Sequence, residues 1–442
     1  MAKSPKKSKS RLWFLVHSWL ALPIWFFVLI VCFTGMLAVV SQEIVWLADP
    51  AVRANKPDAD AERLSFQQVL DALHKAEPDM VVERLIQPDG SHFAVKANVT
   101  LPDGTSPTLY VNPYTGAIQG KTPDFNFEAF TRALHGWWLV PFTSGFSWGW
   151  YLVSLLGLPM LASLVTGLVV YFEAFTRALH GWWLVPFTNG FSWGWYLVSL
   201  LGLPMLASLV TGLVVYKKFW KGFFKPVRTG HGSRIFWGDL HRLAGVWSIW
   251  FIAVISITGT WFLIQAILTD NHITISSRPI VPVIAREDVP QTPDGSPATR
   301  IDLDEAARIA GLAVPGLEIS FISLPATAYS HITLAGPGWY PLMFQSASVN
   351  PYTRNVDSQF LISDRSALEF VTESMRPLHT GDFGGLPIKL VWFFFGLVLT
   401  LMVFSGLLIW TKRTAQATAA ALKRSERAPR MGHHEPTAEI RP

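Results

Sequence analysis

The sequence predicts an α-helical integral membrane protein. Its expected architecture is a four-helix transmembrane bundle, plus one duplicated helix, carrying two α+β folded segments outside the bilayer. Three observations lead there. Half of the residues are hydrophobic and only 15% are charged, well below the roughly 25% usual in soluble domains. The apolar residues gather in runs long enough to cross a bilayer core of about 30 Å, at about 1.5 Å per helical residue. The positive charges collect in clusters that mark one side of a membrane.

The elements follow in order. Lys3, Lys6, Lys7, Lys9 and Arg11 precede an apolar run from Leu12 to Val40. A signal-peptide core is only about 7–15 residues long. Residues 1–41 therefore read as a cytoplasmic tail and an uncleaved first membrane helix, bent near Pro23. Residues 42–126 form a first folded segment, and 127–171 a His-containing loop leading into a second membrane helix. Residues 172–216 repeat 127–171 in a near-identical tandem copy that differs only at Ser144 versus Asn189. Ordinary structural repeats diverge, so this copy reads as a recent duplication or an assembly error. A basic loop and third helix occupy 217–266, a second folded segment 267–375, a second His-containing loop and fourth helix 376–411, and a cytoplasmic tail 412–442.

Charge decides between topologies. One basic cluster is the N-terminal tail, one is Lys217–Arg234, and one begins at Lys412. Four spans put all three on the cytoplasmic side, whereas five separate the last two across the membrane. Four working spans and a supernumerary copy are expected. The folded segments share a plan. Each opens on a helix-like stretch, starting at Phe66 or Leu303, and continues through alternating runs such as Ser91–Val99 and Tyr329–Leu334. Each then reaches Asn-Pro-Tyr-Thr, at Asn112–Thr115 and Asn350–Thr353, where Asn-Pro starts a turn.

The halves are symmetric in their membrane segments too. His17 precedes Thr34-Gly35 by the spacing at which His241 precedes Thr258-Gly259. Arg132-Ala-Leu-His135, copied as Arg177-Ala-Leu-His180, matches Arg376-Pro-Leu-His379. Ionisable groups at membrane depth are costly and mark functional sites by default. His17 and His241 are expected to pair near the cytoplasmic face, and His379 with His135 or His180 near the opposite face. A histidine snorkelling to headgroups, or a loop shaped by glycine, is the plainer reading of each. Cys32 is the lone cysteine and no Cys-x-x-Cys-His occurs, which excludes an intrachain disulfide and a covalently attached haem. Zinc prefers four N/S ligands, but each helical membrane segment supplies one histidine. A planar macrocycle needs only axial ligands, and imidazole is a common one. Two non-covalent haem groups are therefore expected, with Arg132, Arg177 and Arg376 placed to neutralise propionates.

Three stretches carry a family resemblance: Leu378-His-Thr-Gly-Asp-Phe-Gly-Gly-Leu-Pro, Gly238-Asp-Leu-His-Arg-Leu-Ala-Gly-Val-Trp, and the Val-Asn-Pro-Tyr-Thr ends of both folded segments. The pattern resembles the PepSY-associated transmembrane proteins, a group that includes iron-regulated membrane proteins and ferric-siderophore reductases. The resemblance covers nearly the whole chain except the tails and one copy of the duplicated block. It implies four helices, two periplasmic PepSY-like domains and, in some members, haem b with siderophore reduction.

The expected function is that of a multi-pass protein of the bacterial inner membrane, with both termini cytoplasmic. It would pass electrons through two haems to a ferric siderophore in the periplasm. No Gly-rich dinucleotide loop is present, so the donor would be external, a quinol or a cytoplasmic flavoprotein. A different class of function is a non-enzymatic PepSY protein that binds or regulates a periplasmic partner. Transport ranks last, because the halves run in the same orientation rather than inverted. Nucleic acid is not an expected partner.

Overall fold

Alternating burial of Val95, Ala97 and Val99 makes β2 (Val95–Thr100) a strand with one covered face. In the computed structural model, which describes residues 8–139 and 224–427 apart from 231, 272, 277–278 and 294–297, it belongs to an eight-stranded antiparallel sheet. The other strands are β1 (Val81–Ile86), β3 (Thr108–Val111), β4 (Ile118–Lys121), β5 (Phe321–Ser323), β6 (Ile332–Pro337), β7 (Phe344–Val349) and β8 (Val356–Phe360). Their order is β4-β3-β2-β1-β5-β6-β7-β8. Each folded segment contributes a four-stranded meander. The two meanders join where β1 pairs with β5, Leu85 standing opposite Ile322.

Two helices cover one face. α3 (Phe66–Ala76) starts at Ser65, whose hydroxyl accepts from the Gln68 amide while the Gln68 side chain returns to the Ser65 amide. That reciprocal cap is worth about 1 kcal/mol. The equivalent helix, Leu303–Ala313, is capped by Asp302, which accepts from the Glu305 amide. The two N-termini also cap each other. Asp304 accepts from the Ser65 hydroxyl at 2.6 Å, and the Gln67 side chain accepts from the Leu303 amide at 2.8 Å. Beneath them one apolar core runs across the seam, including Leu73, Leu85, Ala306, Ile322 and Leu334, all fully buried. Each such Leu or Ile contributes roughly 1.5–3 kcal/mol.

The helical segments are α1 (Ser8–Val39), α2 (Ser41–Ala48), α4 (Phe127–Trp137), α5 (Ser233–Trp247), α6 (Ile249–Asp270), α7 (the Leu303–Ala313 helix above), α8 (Ala367–Thr380) and α9 (Gly385–Arg427). The chain divides into two compact units. One holds the described parts of Met1–Thr34, Leu134–Ala253 and Phe395–Pro442; the other holds those of Gly35–Ala133 and Val254–Phe394, the sheet included.

Two parts of the expected fold are corrected. Among the described residues, only Gly385–Lys423, within α9, is an unbroken helix long and apolar enough to cross a membrane. Two bent pairs, Trp25–Val39 with Ser41–Ala48 and Ile235–Trp247 with Ile249–Gln265, raise that number to three if each is one span. The four-helix bundle is therefore not the fold observed. The chain turns by 60° and 67° at these breaks, where Val40 and Ser248 take backbone angles near the bridge region. Hydropathy reads straight through such breaks because both flanks are apolar. The two α+β domains are likewise not separate bodies, since β1 and β5 fuse them into one sheet over one core. The second membrane helix expected in 127–171, beyond residue 139, and its copy lie outside the described residues.

Candidate functional site

The described histidines among those expected to carry function are mounted on helix segments. In the unit that holds Leu134–Ala253, His241 sits on α5, half-buried against α9. Its Nδ1 lies 3.0 Å from the Met402 carbonyl and 3.0 Å from the Ser405 hydroxyl oxygen, and that hydroxyl donates to Met402 at 2.9 Å. A carbonyl only accepts, so the Nδ1 of His241 carries a proton and donates. Small residues permit the approach. A Cβ on Gly406 would stand 3.4 Å from the His241 ring, and one on Gly245 would stand 3.4 Å from the Met402 sulfur. The start of α5 is held by charge: Arg228 donates two hydrogen bonds to buried Asp239, at 2.8 and 3.0 Å. Such bidentate pairs are the stronger and more directional kind.

The same unit holds His135, near the end of α4. Its Nδ1 is 2.9 Å from the Val31 carbonyl of α1, which again requires a protonated Nδ1. The Thr34 hydroxyl returns to its own helix, 2.8 Å from Ile30 and 3.2 Å from Val31. Trp138 stacks on Phe27 with ring centroids 4.0 Å apart, so one of the tryptophans following His135 is engaged in packing.

In the other unit, His379 is the penultimate residue of α8. Its Nδ1 lies 2.7 Å from the Thr258 hydroxyl on α6, and Phe262 meets the ring edge-on at 5.1 Å. The glycines after it have a structural reason. Gly381 ends α8 in the left-handed conformation, at φ +76°. A Cβ there would also approach Trp392 to 2.9 Å, and the Trp392 indole donates to the Leu378 carbonyl at 3.0 Å. The motif that follows His379 is thus a rigid helix stop packed on an aromatic side chain.

The arginines fall differently. Arg132 pairs with Glu128 at 3.3 Å, and its buried Nε has no hydrogen-bond partner among the described residues. Arg376 is exposed. His17 falls on α1, while His180 and Arg177 lie outside the described residues. Among the described residues, no three His, Cys, Asp or Glu side chains gather as a metal-ion site.

Sequence reasoning missed several residues. Thr258 served there only as a mark of symmetry, and here it touches His379, while Ser405 touches His241. The signal for Thr258 was its spacing from His241, which matches that of Thr34 from His17. Lys389, in the first turn of α9, is 3% exposed and reaches Glu43 at 3.2 Å and Asp382 at 3.7 Å. A lysine among apolar residues was the signal there.

A family model described as PepSY-associated TM region matches the chain twice, over residues 14–183 and 171–413. The two matches meet inside the duplicated block. No curated protein matches the chain.

Proposed function

We propose, from the premise that the chain belongs to the PepSY-associated TM family, that this membrane protein transfers electrons through histidine-ligated haem to a ferric siderophore. The observation that carries the reading is the common state of three helix-borne imidazoles. His135, His241 and His379 each have Nδ1 within 3.0 Å of an oxygen on another helix. An imidazole that donates from Nδ1 presents its lone pair at Nε2, and such outer contacts are the usual support of a ligating histidine. The donor set fits haem b, which takes side-chain axial ligands. Gly406 beside the His241 ring leaves room that a side chain would take.

In this reading His241, with His17, would hold one haem, and His379 would hold the other. A bound haem supplies a one-electron couple. The residues do the rest. The helix oxygens orient the imidazoles, burial lowers the local dielectric, and the Arg132 Nε, without a hydrogen-bond partner among the described residues, offers a donor for a propionate. Arg177 or Arg376 would serve the same role at the other positions. Delivery of one electron turns hard Fe(III), held tightly by oxygen chelators, into softer Fe(II), which they hold less well. The chelate then opens without further bond-making by the protein.

The basic clusters support a multi-pass protein of the inner membrane with both termini in the cytoplasm. The electron donor would then be a quinol or a cytoplasmic flavoprotein, and the acceptor would sit in the periplasm. The test uses purified protein reduced with dithionite and freed of excess reductant. Addition of a ferric hydroxamate should reoxidise it, with ferrous iron trapped by a chromogenic chelator. Protein that binds haem yet stays reduced with every ferric chelate tried would favour binding or regulation of a periplasmic partner instead.

A further inference from the structure

We infer that Thr258 is a positioning residue whose hydroxyl fixes the tautomer of His379, making Nε2 the lone-pair nitrogen of that imidazole. The inference rests on the haem-ligand reading for its consequence, but its geometry stands alone. Thr258 is 2% exposed, so water does not compete for its hydroxyl. Its Oγ1 lies 2.7 Å from the Val254 carbonyl one turn earlier and 3.2 Å from that of Ile255. Both carbonyls are acceptors, so the hydroxyl proton is committed to them. The same oxygen, 2.7 Å from His379 Nδ1, then has only a lone pair to offer. The proton on the imidazole must therefore sit on Nδ1. A threonine in a helix has few χ1 choices, and back-bonding to the preceding turn selects among them, so the direction of this acceptor is set by α6 itself.

The other two histidines make the claim specific. His135 and His241 donate to the main-chain carbonyls of Val31 and Met402, which no side-chain substitution removes. Ser405 adds a second acceptor to His241 at 3.0 Å, but the carbonyl alone already dictates the tautomer. Thr34 stands at the position equivalent to Thr258, yet its hydroxyl bonds are to its own helix. The contact of His379 with Thr258 comes from a side chain, which mutation can delete.

The experiment compares Thr258→Val and Thr258→Ser with Thr34→Val in the full-length protein. Two readouts are taken: haem affinity by titration of haem-depleted protein, and the ¹⁵N imidazole spectrum of that haem-depleted protein. Thr258→Val should weaken haem binding at one of two sites by about 10–100-fold, the usual effect of losing an outer contact. It should also convert one histidine from a pure Nδ1–H tautomer to a mixture. Thr258→Ser should restore both, and the Thr34→Val control should match the parent. Should Thr258→Val not fold, Thr258→Ala is read in the same way. A Thr258→Val protein with parental affinity and an unchanged ¹⁵N pattern overturns the inference. Parent protein that binds no haem, or His379→Ala that keeps full haem content, overturns the ligand reading instead; the ¹⁵N pattern then decides the tautomer claim by itself.

Discussion

The two halves of the sheet body repeat one design and differ in how tightly each position is constrained. In both, a capped helix precedes the meander and an Asn-Pro-Tyr-Thr turn joins its last two strands. Asn112 accepts from the Tyr114 and Thr115 amides, and Asn350 accepts from the Tyr352 and Thr353 amides, at 2.9–3.3 Å. The residue after each turn needs a positive φ. Gly116 supplies it at +72° in the first half, whereas Arg354 is held at +66° in the second. The reason lies in the neighbours. A Cβ on Gly116 would stand 2.6 Å from that of Ala72. Each half then leads to an Arg-x-Leu-His helix, and there too the device is kept while its agent changes: a carbonyl holds His135, and a hydroxyl holds His379. The two halves share this geometry and differ in where they are sensitive to mutation.

That comparison can be broken at several levels. The largest expected effect is at Lys389, the buried cation of the second half. Lys389→Met leaves Glu43 unpaired, and the loss of a buried ion partner costs about 3–5 kcal/mol, read as a lower unfolding midpoint in detergent. Next is the seam. Leu85→Ala or Ile322→Ala removes a fully buried side chain facing the other half, at about 2–5 kcal/mol. Because the core is shared, both halves should lose amide protection together; protection lost in one half alone would show two independent domains. Smaller still is the turn pair. Gly116→Ala should destabilise by more than about 1 kcal/mol, since it adds both a clash and an unfavourable φ, while Arg354→Gly should stabilise by about 0.5–1 kcal/mol. The smallest effect is at Thr34, where Val should leave haem content unchanged.

Much of the sheet body was legible in the sequence. The helix starts at Phe66 and Leu303 follow capping residues, which are local signals. The turns were legible because asparagine and proline act on their own backbone. The β1–β5 seam was not, because it joins residues more than two hundred positions apart and no local pattern encodes which edges meet. In the membrane segments, apolar length was legible but the breaks at Val40 and Ser248 were not, since neither glycine nor proline marks them. The histidines stood out by symmetry and Thr258 by its spacing, whereas the backbone carbonyls that orient His135 and His241 have no signature of their own.

The oriented imidazoles of His241 and His379 are proposed as ligands of haem. The most direct measurement is the absorption spectrum of the purified protein, oxidised and dithionite-reduced, alongside His379→Ala, His241→Ala and His92→Ala. A b-type spectrum that changes on reduction is expected, with a loss of about half the haem in each of the first two variants given two sites, and no loss in the third. A parent protein without haem bands, or full haem content in His379→Ala and His241→Ala, would contradict it.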